Sequence, residues 1–128
     1  MKFDWKSFNR LSMELISNQS LREIEEAYFR TAVSRSYYSA FCCARNFLVN
    51  KTGINSGEHV HEFVRNEYER SVNRVEQTIG ANLNRLFRER LRADYDDTAG
   101  MDINRARTAH ALANAVLKSL EKLDPLAP

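Results

Sequence analysis

Apolar residues recur at helical spacing along nearly the whole chain, and five segments stand out. Trp5, Phe8, Leu11 and Leu15 repeat at intervals of three and four, which predicts a helix over 4–16 with Asp4 as its N-cap. "SNQS" breaks that pattern, and Ser20 with Glu23 has the form of a capping box. A long helix is expected over 21–51. Its stripe is Leu21, Ile24, Tyr28, Thr31, Tyr38, Cys42 and Val49, with Phe41 and Leu48 on one flank and Gly53 as the stop. A third helix falls within 55–74, with Val60, Phe63, Val64 and Tyr68 inward, and a fourth over 79–92 carries Ile79, Leu83, Leu86, Phe87 and Leu91. The last runs from Asp102 as N-cap to Leu123 and buries Ala106, Ala109, Ala113, Val116, Leu117 and Leu120, its alanines permitting close helix approach. Short connections make sequential helices antiparallel, so the expected fold class is all-α: a four- to five-helix antiparallel up-down bundle.

Composition narrows the picture. A chain of 128 residues suits one domain, 1–128, around a single core. Only four glycines and two prolines occur, with Pro125 and Pro128 at the very end, so little interrupts the helices. The formal net charge of +2 is too small to mark a nucleic-acid binder, and only local clustering of charge can do so. No apolar run approaches the roughly 20 residues of a membrane span, and the first residues lack a signal-peptide core. Cys42 and Cys43 are adjacent, so on a helix they point about 100° apart and read as free thiols. The expectation is a cytoplasmic protein with no membrane association.

The informative charges are those that point the wrong way. On the fourth helix Arg85, Arg88 and Arg92 fall opposite the apolar face, whereas Arg90 falls between Leu86 and Phe87. On the second helix Arg35 sits among Tyr28, Thr31, Tyr38 and Cys42, and Arg45 lies between Phe41 and Val49. An inward arginine cannot shed its charge, so it needs carboxylates or a wet cavity. Asp94, four residues beyond Arg90, is the nearest carboxylate, with Asp96 and Asp97 close behind. Two readings stay open. One is an internal network in which Asp94 holds Arg35 and Arg90. The other is a polar cleft whose arginines bind phosphate oxygens, with Arg35, Tyr38 and Arg45 as ligand-binding residues beside Arg90.

"SRSYYSAFCCARNFL", "GEHVHEFV" and "LFRERLRADYDD" together resemble the HEPN superfamily, in particular its branch of small bacterial and archaeal proteins. The matching positions are Arg35, Tyr37, Tyr38, then His59 or His61, then Arg90, Ala93, Asp94 and Tyr95, within a resemblance spanning about 20–122. The resemblance implies a helical bundle, usually a homodimer. It implies a toxin–antitoxin or antiphage defence setting, often with a nucleotidyltransferase-type antitoxin as partner. It also implies RNA as target, cut without a metal by an arginine and a histidine four to six residues apart, so no cofactor is expected. Arg90, Asp94 and Tyr95 are then the catalytic candidates, and Tyr95 occupies a place where some members carry a modified tyrosine. Where a nuclease-type member has its histidine, this chain has Ala93, so a non-cleaving RNA-binding relative is the companion expectation.

"RARTAH" supplies a second, literal match in Arg105 and His110, but these lie about 140° apart on one helix and meet only across a dimer. His59 and His61 lack the four-residue spacing of helical zinc ligands, so no metal site is expected. Two alternatives from other classes remain: a non-catalytic binding module that recruits a nucleotidyltransferase or larger defence protein, and a pocket for a nucleotide ligand.

Overall fold

The computed structural model describes residues 2–54, 57 and 60–124. Among these the fold is all-helical: α1 (Ser7–Ser17), a 3-10 turn (Arg22–Ile24), α2 (Glu25–Thr52), α3 (Val60–Glu69), α4 (Arg74–Tyr95) and α5 (Ile103–Leu123). The expected all-α bundle is the observed class.

The long α2 is the axis of the molecule, packed against α1, α4 and α5 and touching α3. A helix enclosed on several sides cannot be described by one stripe. It buries Phe29, Ala32, Val33, Tyr37, Ala40, Phe41, Ala44 and Leu48, and the small residues let its neighbours close in. The expected stripe is therefore corrected at its start: Leu21 and Ile24 are about half exposed, Thr31 faces outward, and no side chain caps the entry to α2. The Ser20 capping box does not form. The stop is as expected: Gly53 takes the left-handed conformation (φ 73°) and its N–H donates to the Val49 carbonyl.

α1 also differs. Its helix begins at Ser7, while Asp4 accepts the Lys6 N–H in the turn before it. Leu11 is exposed, and the buried face is Asn9, Ser12 and Ile16. Ser12 pairs with Ser36 of α2 at 2.6 Å, and Asn9 donates to Asn114 of α5 at 2.5 Å, so this interface is held by polar contacts. α4 starts five residues earlier than expected, at Arg74, because the Asn73 side chain accepts the Glu76 N–H as an N-cap. Leu91 near its end is partly exposed instead of buried. α5 follows the expected plan, with Asp102 accepting the Arg105 N–H and Ala106, Ala109 and Ala113 fully buried, though Leu117 is only half-buried.

Candidate functional site

α1, α2, α3 and α4 leave an open cleft of about 580 Å³ between them, lined by Trp5, Phe8, Arg35, Tyr38, Phe41, Arg45, His61, Arg90 and Asp94, among others. Arg35, Tyr38 and Arg45 come from one face of α2, spaced three and seven apart, which is one and two helical turns. Arg90 and Asp94 come from α4, again one turn apart. The two helices thus present their polar residues to the same space.

Arg90 is the best-held member. Its side chain is only 15% exposed. Its Nε donates to Asp94 Oδ2 at 2.9 Å, and its Nη2 donates to the Tyr38 hydroxyl at 2.8 Å and, at 3.4 Å, to that of Tyr95. Burial works against its charge, but Tyr38, Tyr95 and Asp94 outweigh that and hold the guanidinium more firmly protonated than usual. The same Asp94 oxygen accepts from Ser34 at 3.2 Å, and Arg35 donates to that serine at 3.3 Å. The expected grip of Asp94 on both arginines is thus direct for Arg90 and one hydrogen bond removed for Arg35.

Arg35 and Arg45 are held mainly by rings. The Arg35 guanidinium lies 4.6 Å from the Phe8 centroid and 5.2 Å from that of Tyr38, and Arg45 lies 5.7 Å from Trp5 and 5.9 Å from Phe41. Arg45 spends its Nε on the neighbouring Asn46. Neither makes an ion pair among the described residues. Flat guanidiniums over aromatic faces keep their orientation while most of their N–H edges stay unspent.

The end of α4 is fixed from α2 by a contact that the sequence did not suggest. Arg30 donates to the Arg92 and Ala93 carbonyls at 3.0 Å each and to the Ala99 carbonyl, and pairs with Glu26 at 3.1 Å. A cation on the last carbonyls of a helix is the favoured arrangement. Asp96 then folds the following turn by accepting from the N–H groups of Thr98 and Ala99. Ala93, where the resemblance implies a histidine in nuclease-type members, is buried. Tyr95 is 69% exposed at the mouth.

His61, one of the two histidines in the family resemblance, faces the same cleft. Its Nδ1 shares a 2.6 Å hydrogen bond with the buried Tyr37 hydroxyl, and its ring stacks on Phe41 at 4.1 Å. Burial first, then the cations Arg90, Arg65 and Arg45, push its pKa below the ordinary 6.5, so it is neutral at pH 7. The alternative match, His59, lies outside the described residues. Arg105 and His110 do not converge within the chain. Arg105 sits 3.4 Å from Glu89 in a groove with Arg85, Arg88 and Arg92, while His110 contacts Asn114 in a different groove beside Asn9 and Arg10. Cys42 and Cys43 are both free, and burial raises the pKa of each, to about 11 for Cys43. Among the described residues no three His, Cys, Asp or Glu side chains gather at one point, and no helix is long and apolar enough to cross a membrane.

A family model described as HEPN domain matches residues 17–123. No curated protein and no solved structure matches the chain.

Proposed function

The chain belongs to the HEPN domain family, and from that premise we propose that it acts on RNA, with the α1–α4 cleft as the site that holds the strand. The observation that carries this reading is the pair Arg35 and Arg45: two guanidiniums without carboxylate partners among the described residues, fixed over rings beside the ion-paired Arg90. Such donors fit phosphodiester oxygens, which accept from guanidinium edges. The half-buried rings of Trp5 and Phe8 line the same cleft and offer a surface on which an unpaired base can rest.

The test is binding of a fluorescent single-stranded RNA, read by anisotropy over a range of salt in the presence of a chelator. About three phosphate contacts correspond to a slope of log K against log salt near −2, since each contact on a single strand contributes about −0.7. Arg35→Gln should reduce the slope by about that increment and weaken binding several-fold. Unchanged affinity and slope in Arg35→Gln and Arg90→Ala would refute the reading.

The same reading carries a setting: a toxin–antitoxin or antiphage module of a prokaryotic cytoplasm, a homodimeric assembly, and a nucleotidyltransferase-type partner. Its support is family membership, together with the exposure of Tyr95, which leaves that hydroxyl open to a modifying enzyme. A second reading is favoured by the cleft's size. About 580 Å³ suits a single nucleotide, and mononucleotides that raise the melting temperature while RNA does not bind would select it.

A further inference from the structure

We infer that the groove between α1 and α5 is a binding site for a carboxylate that carries an amide on the neighbouring carbon, the unit found in an N-acyl amino acid and in the C-terminal residue of a peptide. The groove, of about 440 Å³, shares no residue with the α1–α4 cleft, and the inference stands without the RNA reading. Lys6, Asn9, Arg10 and Met13, which form its α1 side, precede the segment that matches the family model, which starts at residue 17.

Three observations lead there. The first is a run of polar side chains with both ends unspent. Asn9 is only 4% exposed, lines the groove and joins Asn114 at 2.5 Å, and Asn114 joins His110 Nε2 at 3.2 Å. Asn9 Oδ1 and His110 Nδ1 are buried and have no hydrogen-bond partner among the described residues. Asn9 Nδ2 donates to Asn114 Oδ1, and Asn114 Nδ2 donates to the lone pair of His110 Nε2. An acceptor is then left on Asn9 and the Nδ1–H donor on His110. Turning both amides over and exchanging the ring tautomer swaps the ends, and one donor and one acceptor still remain. An amide carries the matching pair, an N–H and a C=O, in one rigid unit. Buried polar atoms cost free energy while unpaired, so a ligand that meets both gains affinity from them. Burial also lowers the His110 pKa, so the ring is neutral at pH 7, the state in which one of its nitrogens accepts.

The second observation is charge. Lys6 and Arg10, about one helical turn apart, are exposed at the rim, and neither makes an ion pair among the described residues. Among those residues no Asp or Glu lines the groove. Lys6 also borders a second groove that holds Asp4, Glu121 and Asp124, so Arg10 is the cation less shared with other carboxylates. Its guanidinium fork fits a carboxylate. The third observation is apolar surface. Met13 and Leu117 line the same groove, so an apolar side chain on the carbon between carboxylate and amide has a wall to cover.

The experiment is an NMR titration of the 15N-labelled protein with N-acetyl-L-leucine, following the side-chain amide signals of Asn9 and Asn114. Both should shift along one binding curve with a Kd of about 1 mM, the strength that a ligand of roughly twelve heavy atoms reaches at ordinary efficiency. Arg10→Ala, which removes an exposed side chain, should weaken binding by about three- to fivefold. N-acetyl-L-leucinamide, which lacks the carboxylate, and 4-methylpentanoate, which lacks the amide, should each bind more weakly than the parent acid by about fivefold or more. A leucinamide derivative as good as the acid, 4-methylpentanoate as good as the acid, or shifts that miss Asn9 and Asn114 would each overturn the site. So would the absence of any shift at about twentyfold above that Kd. An acetylated pentapeptide ending in leucine separates the two sources: tighter binding than N-acetyl-L-leucine assigns the site to a peptide end, and equal or weaker binding assigns it to the free acyl amino acid.

Discussion

Gly80 sits where α4 crosses the end of α3, and replacing it with alanine sets two effects against each other. In a helix interior alanine is preferred to glycine by about 1 kcal/mol, so on propensity alone Gly80→Ala stabilises. The packing says otherwise. A Cβ at this position lies 2.7 Å from the Glu69 backbone nitrogen and 3.1 Å from its Cα, against an ordinary contact of 3.4–4 Å. The side-chain atom also in the way, Glu69 Cγ at 2.9 Å, can swing aside, but the backbone cannot. α3 would have to retreat by an appreciable fraction of an ångström. It is not free to do so, because Tyr68, next to Glu69, is buried and donates its hydroxyl to the Ala44 carbonyl of α2 at 2.7 Å. Overpacking of this kind costs about 1–3 kcal/mol, and with rigid backbone as the obstacle the upper half of that range applies. The net expectation is a loss of about 1–2 kcal/mol, seen as a lower urea midpoint at unchanged m-value. Because α3 also carries His61, the cleft should loosen with it. Gly100→Ala is the control: nothing lies within 4 Å of its Cβ, and stability should stay within about 0.5 kcal/mol. If Gly80→Ala proved as stable as the parent, the α3–α4 crossing would be wider than described and the fixed placement of His61 would lose its basis.

Three further outcomes follow from the contacts above. A double-mutant cycle on Arg90→Gln and Asp94→Asn should give a coupling of about 1 kcal/mol, more than an exposed i,i+4 pair, because the two side chains are only 15% and 27% exposed; coupling near zero in urea titrations would refute it. Ser12→Ala leaves the Ser36 hydroxyl buried without its partner and should cost about 1–2 kcal/mol, whereas the Ser12→Ala, Ser36→Ala double variant should recover part of that loss; a double variant worse than the sum of the singles would contradict it. His61 and His110 both have pKa values lowered by burial, so as pH falls through 6.5 the unfolded chain takes up protons that the folded chain does not. Stability is therefore fully present above that value and lost below it, and the melting temperature at pH 5 should fall below that at pH 7.5 by less in His110→Asn than in the parent.

The parts of the fold legible in the sequence are those that local chemistry decides. Asp102 announces α5 because its carboxylate caps a backbone N–H three residues on, and Gly53 ends α2 because only glycine takes φ 73° cheaply. Asn73 and Glu76 carried the same kind of signal, but the polar turn of Arg74–Thr78 has no apolar period to draw the eye, and the start of α4 was placed late. The face of α1 was misread for a different reason. Asn9 and Ser12 point inward because their partners, Asn114 and Ser36, lie 105 and 24 residues away, and no local pattern encodes that pairing.

The site divides along the same line. Arg90 was visible because one helix wheel places it among Leu86 and Phe87, and a charge there demands a partner or a cavity. His61 was visible too, on the same test: it falls about 20° from the direction of Tyr68 on α3, inside the apolar face. In sequence its two-residue spacing from His59 speaks only against a zinc site, and what distinguishes it comes from elsewhere. Tyr37 and Phe41 of α2 hold the ring, and Arg45 and Arg90 surround it. An imidazole in a purely greasy pocket would also be neutral, yet it would have no phosphate donors beside it. The arginines and His61 come from three separate elements, α2, α3 and α4, so the cleft is assembled only once α3 has docked on α2 and α4. That makes docking of α3, through Gly80 and Tyr68, the step on which the site depends.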